Sequence, residues 1–169
     1  MDSGTTIIAI ILLLVCIIPF MMMYIKSSRK EKHLSQALSK VASSQHMKIN
    51  EQDIWHETAI GIDHAENVLF FIQENNAISL TNIFPLHEVD HFKKVIEGGN
   101  HQTVQAAPDI AEKLGFTCSF KDKTKEDISI EFFNSKKNGM TISNEYLLLE
   151  KWHQIIQQKL SEIKLTSSR

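Results

Sequence analysis

The run at 7–25 (IIAIILLLVCIIPFMMMYI) constrains this chain more than any other feature, because it contains nineteen consecutive residues without a charge. As a helix it would be about 28 Å long, which matches the roughly 30 Å hydrocarbon core of a bilayer. A helix is also the only single segment that satisfies its own backbone hydrogen bonds in lipid. The sequence therefore predicts one transmembrane helix at 7–25.

Charges on either side of the predicted span indicate its orientation. Four basic residues follow it directly, Lys26, Arg29, Lys30 and Lys32, whereas residues 1–6 carry only Asp2 as a charged side chain. Because basic segments stay on the cytoplasmic side, we expect residues 1–6 outside and the remainder in the cytoplasm. A cleaved secretory signal is the alternative, but it needs a basic start and small residues at a cleavage site. We therefore expect a single-pass protein of the cytoplasmic (inner) membrane.

The remainder of the chain is mildly acidic. Of the 18 Lys and Arg residues four lie at 26–32, and of the 20 Asp and Glu residues two precede residue 33, which leaves 14 basic and 18 acidic residues beyond it. A nucleic-acid-binding surface needs the opposite balance, so we expect no DNA or RNA partner. Two interpretations of the basic cluster at 26–32 stay open. It either attracts anionic lipids, by about 1 kcal/mol per charge, or acts as a topology signal only.

The chain divides into an extracytoplasmic stub at 1–6, the span at 7–25, a basic juxtamembrane helix or linker at 26–46, a folded domain at 47–164 and a tail at 165–169. In the juxtamembrane segment, Leu34, Leu38 and Val41 recur at helical spacing. We expect this thin apolar stripe to belong to a spacer between membrane and domain. The alternative is a weak dimerising seam.

Alternating apolar residues and closely spaced turns predict a mostly β domain. The predicted strands lie at 54–57, 58–62, 68–73, 77–84, 113–121 and 127–134. Residues 86–97 fit either a helix or a turn that enters a strand, and residues 98–108 fit a loop. The pair Asn138-Gly139 favours a type I′ turn, which predicts a further hairpin between Phe133 and Ile142.

The C-terminal segment is the clearest helix outside the predicted span. Its apolar residues recur every three or four positions and so share one face: Leu148, Trp152, Ile155, Ile156, Leu160 and Ile163. Ser143 or Asn144 can cap its start. We therefore expect an α+β fold, in which the N-terminal transmembrane helix precedes a mostly antiparallel β barrel or sheet of pleckstrin-homology-like type, closed by this amphipathic helix.

Four stretches of the cytoplasmic part carry a resemblance. They are DIW at 53–55 leading into AIGID at 59–63, VLFFI at 68–72, ISIEFF at 128–133 and EKW at 150–152. They are similar to those of a family of uncharacterised, single-pass bacterial membrane proteins. The resemblance implies a membrane-tethered domain of pleckstrin-homology type, with Trp152 on the helix that plugs it. It implies no activity.

The segment 87–91 reads HEVDH and matches the H-E-x-x-H pattern of zinc peptidases. In that pattern two histidines one helical turn apart bind Zn²⁺ and the glutamate activates its water. Here His87 and His91 would be the ligands, Glu88 the base and Glu112 a candidate third ligand. The interpretation that we favour places both histidines at an exposed turn that enters a strand.

Two predicted hairpins are rich in lysine. One contains Lys121, Lys123 and Lys125, and the other contains Lys136 and Lys137. If both tips face the bilayer, they form a basic rim on anionic headgroups, and the tether makes even weak contact favourable. The alternative is that these tips are simply solvated. Together with the four basic residues at 26–32, these five lysines are the candidate lipid contacts.

The sequence contains no G-x-S-x-G motif, glycine-rich phosphate loop or C-x-x-C pair, so we expect no cofactor and no other catalytic site. Cys118 lies on the apolar face of a predicted strand, where we expect a core thiol. The sequence thus predicts a non-enzymatic, membrane-anchored binding or adaptor module for a protein partner or anionic lipid headgroups. The alternatives are a zinc metallopeptidase that uses the HEVDH motif and a structural subunit of an envelope complex.

Overall fold

The computed structural model describes residues 3–75, 78–98, 111–139, 142 and 144–167, and in the N-terminal half of the first helix only the side chains of 12, 13 and 15–17. The helices are α1 (Ser3–Ser44), α2 (Ser135–Asn138) and α3 (Glu145–Ser167). The strands are β1 (Glu51–Trp55), β2 (Thr58–Asp63), β3 (Val68–Asn75), β4 (Ile78–Pro85), β5 (Val89–Glu97), β6 (Lys113–Phe120) and β7 (Ile128–Asn134). The predicted α+β class is confirmed.

The seven strands form two antiparallel sheets, with the orders β1-β2-β3-β4 and β5-β6-β7. In the described part of the chain no strand pairing joins the two sheets, so the closed barrel that was one of our expectations is not formed. A side chain bridges them instead. Trp55 donates from Nε1 to the carbonyl oxygen of Phe132 at 2.9 Å, and the two rings stack with their centroids 4.5 Å apart.

The main core lies between the two sheets and α3. The first sheet contributes Ile60, Ile62, Leu69, Phe71 and Phe84, the second contributes Phe92, Leu114, Phe116, Cys118, Ile130 and Phe133, and α3 contributes Leu149, Trp152, Ile156 and Leu160. The amphipathic face predicted for the last helix is therefore the face that it buries. This helix continues to Ser167, beyond the predicted end at 164.

A second, smaller core lies on the outer face of the first sheet, beneath α1. Leu34, Leu38 and Ala42 are at most 2% exposed and pack in one cluster with Phe70 and Ile72 of β3. Strand β3 is thus covered on both faces, which explains its unbroken apolar run. The stripe that we expected to form a spacer or a dimerising seam is covered by the chain's own sheet, a partner that lies far away in sequence.

Helix α1 runs without a break through the predicted span and the juxtamembrane segment. Where side chains are described, no helix is both long enough and apolar enough to cross a membrane. The side chains of 7–11, 14 and 18–25 lie outside that described set. The transmembrane helix therefore stays a prediction from the sequence.

Two local predictions are corrected or resolved. Residues 86–88 form a turn and β5 follows, because β5 pairs along its length with β6, so the helical alternative for 86–97 is wrong. The hairpin expected at Asn138-Gly139 is also wrong. The side chain of Asn134 accepts a hydrogen bond from the backbone N–H of Lys136 at 3.1 Å and caps the short helix α2 instead. Most of the predicted loop, 99–108, lies outside the described residues.

Candidate functional site

The domain has two ends, and α1 distinguishes them. We call the end at the β1–β2 turn, residues 56–57, the near end, because the N-terminal half of α1 projects from it. Lys30 Nζ lies 3.0 Å from Glu57 Oε1 there, whereas Leu38, two turns further along α1, lies over Gly61 in the middle of β2. The helix therefore runs alongside β2 and leaves the domain at the near end.

The far end is formed by three turns that contact one another, at 64–67, 86–88 and 121–127. The backbone N–H of Leu86 donates to the carbonyl oxygen of Asn67, and that of Lys121 donates to the carbonyl oxygen of Glu88, both at 2.9 Å. These contacts bring the β2–β3, β4–β5 and β6–β7 turns together.

Helix α3 connects the two ends. At the near end its first residue, the buried Glu145, has Oε1 2.5 Å from Nε2 of His56 in the β1–β2 turn. Along the helix, Trp152 Nε1 and Lys151 Nζ both donate to Asp53 Oδ2, at 2.8 and 2.6 Å. These bonds fix α3 to β1, and the last turns of α3 lie at the far end.

The HEVDH segment lies at the far end and does not form the zinc-peptidase geometry. His87 belongs to the β4–β5 turn and His91 to strand β5, so the two are not one helical turn apart. Both side chains are more than half exposed. Glu112, the candidate third ligand, precedes β6 and so lies at the other end of the second sheet. In the described part of the chain, no three His, Cys, Asp or Glu side chains are grouped so that they could hold a metal ion.

Carboxylates of this segment bind the neighbouring lysines. Lys125 donates to Glu88 Oε2 at 2.6 Å and Lys123 to Asp90 Oδ2 at 3.0 Å. The hydrogen bond and the charge of the lysine lower the pKa of the carboxyl group in each pair. Glu88 is therefore occupied by an ion pair and is poorly suited to act as a general base.

The two lysine-rich segments lie at opposite ends of the second sheet. The turn at 121–127 joins β6 to β7, whereas α2, which carries Lys136 and Lys137, follows the other end of β7. Strands of this length separate them by about 20 Å. Lys137 also pairs with Glu131, at 2.7 Å. The expected basic rim made of both tips is therefore not formed.

The basic juxtamembrane residues are exposed where their side chains are described. These are Arg29, Lys30 and Lys32, and the side chain of Lys26 lies outside the described residues. Lys30 forms an ion pair with Glu57. Charges on this part of α1 are therefore available to a surface beyond the near end.

The far end also contains an open cleft of about 490 Å³. It lies between the β2–β3 turn, the β4–β5 turn and the last turns of α3. Its lining is largely polar and consists of His64, Glu66, Asn67, His87, Lys159, Glu162, Ile163 and Thr166. A cleft of this size and composition offers a ligand hydrogen-bond donors and acceptors, together with acidic and basic side chains.

The charges in this cleft are arranged around Glu162. Hydrogen bonds from Lys159 and Gln158, with a smaller effect of the charge on His64, lower the pKa of its carboxyl group. Lys159 Nζ lies 2.9 Å from Glu162 Oε2, and His64 Nε2 lies 3.6 Å from Glu51 Oε2 on the first sheet. The cleft therefore presents a Lys159–Glu162 ion pair, and the donor and acceptor positions that this pair leaves open can hydrogen-bond to polar peptide groups.

Sequence reasoning did not find this cleft, because its residues come from three segments that only the fold brings together. His64 was not part of any motif, His87 was considered only as a residue of the HEVDH segment, and no spacing in the sequence links either of them to α3. The expectation for Cys118 is confirmed. Its side chain is fully buried, and burial, followed by the charge on Asp127, raises the pKa of the thiol to about 12.

Comparisons with known proteins identified no relative of this chain. Neither a scan against protein-family models nor searches of curated proteins and of solved structures found a match to this chain. The resemblance to the single-pass bacterial family stays a prediction, and the functional argument depends on the geometry described above.

Proposed function

We propose that this protein is a non-enzymatic, membrane-anchored binding module of the cytoplasmic membrane, with its domain in the cytoplasm. The observation that carries the proposal is the continuity of α1. A single helix contains the apolar run at 7–25 and, from Leu34, nine residues beyond the end of that run, buries Leu34, Leu38 and Ala42 in the domain. An anchor of this kind would fix the position of the domain, because no flexible linker separates the two parts.

The order of elements supports a pleckstrin-homology-like assignment for the domain. A four-stranded meander is followed by a three-stranded meander, and a C-terminal helix covers the core between them. The sequence resemblance implies the same architecture. Because one fold hosts many functions, this assignment leaves the ligand to be argued from the surface.

We assign ligand binding to the far-end cleft, and we propose a protein segment as the ligand. The cleft opens at the end of the domain opposite to the projecting half of α1, so a partner in the cytoplasm could reach it. The Lys159–Glu162 ion pair in the cleft leaves hydrogen-bonding positions on both side chains for the groups of a peptide. The two histidines of the cleft, His64 and His87, are partly exposed and can donate or accept hydrogen bonds.

Anchoring can be tested with a charge placed in the apolar run. Leu13 and Leu165 are both exposed leucines on helices, at 60% and 72%. Leu13→Arg should lower the fraction of protein that carbonate-washed membranes retain, because an arginine near the centre of a span costs about 2.5–3.5 kcal/mol on insertion scales. Leu165→Arg is the matched control and should stay in the membrane fraction. Equal retention of both variants would contradict the anchor.

Partner binding can be tested with a photo-crosslinking residue at the cleft. We expect His87 replaced by a benzoylphenylalanine to give a discrete crosslinked species in native membranes, and the same replacement at Lys136, which is exposed outside the cleft, to give none. Adding Lys159→Glu to the His87 variant should abolish the species, because it reverses a charge that lines the cleft. Crosslinking that is equal at both positions would exclude the cleft as the binding surface.

A further inference from the structure

The near end of the domain is held close to the predicted end of the span. Lys30, which contacts Glu57 of the β1–β2 turn, follows Ile25 by five residues, or about 7.5 Å of helix. His33, whose ring lies 3.4 Å from Glu74 at the end of β3, follows Ile25 by eight residues, or about 12 Å. The headgroup layer on each side of a bilayer is about 5–7 Å thick. The near end therefore reaches that layer if α1 is anchored as proposed.

Two exposed leucines lie at this end. Leu80 of β4 is 54% exposed and pairs with Gln73, which in turn pairs with Thr58 beside the β1–β2 turn. Leu147 is 66% exposed and lies in the first turn of α3, two residues after the Glu145 that contacts His56. Both side chains are large, apolar and open to solvent at the end from which α1 projects, so they are available to enter a lipid surface there.

The charges of the near end suit a lipid surface. The three carboxylates around the β1–β2 turn have basic partners: Glu57 pairs with Lys30, Glu74 with His33 and Glu145 with His56. Arg29 and Lys32 lie exposed on α1 beside them. The end that faces the bilayer thus combines apolar side chains, paired carboxylates and basic residues, a combination typical of membrane-surface contacts.

From this juxtaposition we propose that the near end is a membrane-contact surface, in which Leu80 and Leu147 enter the headgroup region of the bilayer that anchors α1. This proposal rests on the proposed anchor. It goes beyond that anchor by naming the surface of the domain that contacts lipid. It also leaves the far-end cleft directed away from the membrane.

The chain provides a matched pair of positions for the test. Leu147 and Leu165 are both exposed on α3 and lie eighteen residues apart, which is five full turns, so they share one face about 27 Å apart. Each is replaced by cysteine in a Cys16→Ser background and labelled with an environment-sensitive fluorophore. The full-length protein is then placed in vesicles of phosphatidylcholine and phosphatidylglycerol that carry nitroxide headgroups in both leaflets. Buried Cys118 stays unlabelled because its thiol is inaccessible.

We expect the nitroxide to quench the label at position 147 at least twofold more than the label at position 165, and Leu80→Cys to follow position 147. Equal quenching at positions 147 and 165 in protein that floats with the vesicles would overturn the contact surface alone. Protein that fails to float would overturn the proposed anchor, and this inference with it.

Discussion

Asp63, at the end of β2, joins two backbone segments through three hydrogen bonds. Its Oδ2 accepts a hydrogen bond from the N–H of Lys48 at 2.8 Å, and its Oδ1 accepts from Ala65 and Glu66 at 2.8 and 3.1 Å. Burial alone would raise the pKa of this carboxyl, but the three backbone donors outweigh burial and lower it. The charge of one aspartate thus holds the segment after α1 against the β2–β3 turn.

This aspartate should make stability depend on acid pH. Because its pKa is lower in the folded than in the unfolded state, its contribution is complete above the ordinary aspartate value of about 3.9 and is lost as pH falls through the folded pKa. We expect Asp63→Asn to reduce the free energy of unfolding by about 1–3 kcal/mol near pH 7 and by less at pH 3. Denaturation followed by tryptophan fluorescence at both pH values tests this. A loss that is the same at both would refute the assignment.

Gly61 determines how closely α1 approaches the sheet. A Cβ atom at this position would lie 2.7 Å from Leu38 Cδ2 and 3.0 Å from Ile49 Cγ2. We expect Gly61→Ala to lower the free energy of unfolding by about 1–3 kcal/mol, the usual cost of overpacking. In a double-mutant cycle, adding Leu38→Ala should cost less in the Gly61→Ala chain than in the wild type, because it removes the clash. Additive losses would show that the two residues do not compete for space.

The helices and strands could largely be predicted from the sequence, because each carries its own periodicity. The alternation in β6 and β7 and the 3.6-residue period of α3 depend on which face is buried, and they gave the right elements. What covers an apolar face could not be predicted. The stripe of Leu34 and Leu38 was recognised, but its cover, β3, is more than thirty residues away. The turn predicted at Asn138-Gly139 was wrong because Asn134 caps a short helix that includes Asn138.

If α1 completes the outer face of the first sheet, the domain needs residues 30–44 to fold. A chain that begins at residue 47 would expose Val68, Phe70 and Ile72, each worth about 1.5–3 kcal/mol of burial, which together approach the stability of a whole domain. We expect this chain to aggregate or unfold. A chain that begins at residue 26 should give a cooperative thermal transition. Equal melting temperatures for the two would show that α1 is only an attachment.

Across the whole molecule, basic residues are divided between the two ends, so membrane attraction should depend on where a lysine lies. In residues 26–169, Arg29→Gln, Lys30→Gln and Lys32→Gln together should weaken binding to anionic vesicles by about two orders of magnitude, at roughly 1 kcal/mol per charge. The triple change Lys121→Gln, Lys123→Gln and Lys125→Gln removes the same charge from the far end and should have little effect. Cosedimentation at low salt compares them, and equal losses would contradict the assigned orientation.

Because α1 is one unbroken helix from the apolar run into the domain core, the segment between them is rigid. Its length therefore fixes the rotation of the domain about the helix axis. Each residue inserted at 26–28 would turn the domain by about 100° around the helix axis and move it by about 1.5 Å. Seven inserted residues would nearly restore the angle. The length of this short stretch therefore sets the rotation of the domain as well as its distance from the membrane, and one inserted residue should change the rotation far more than the distance.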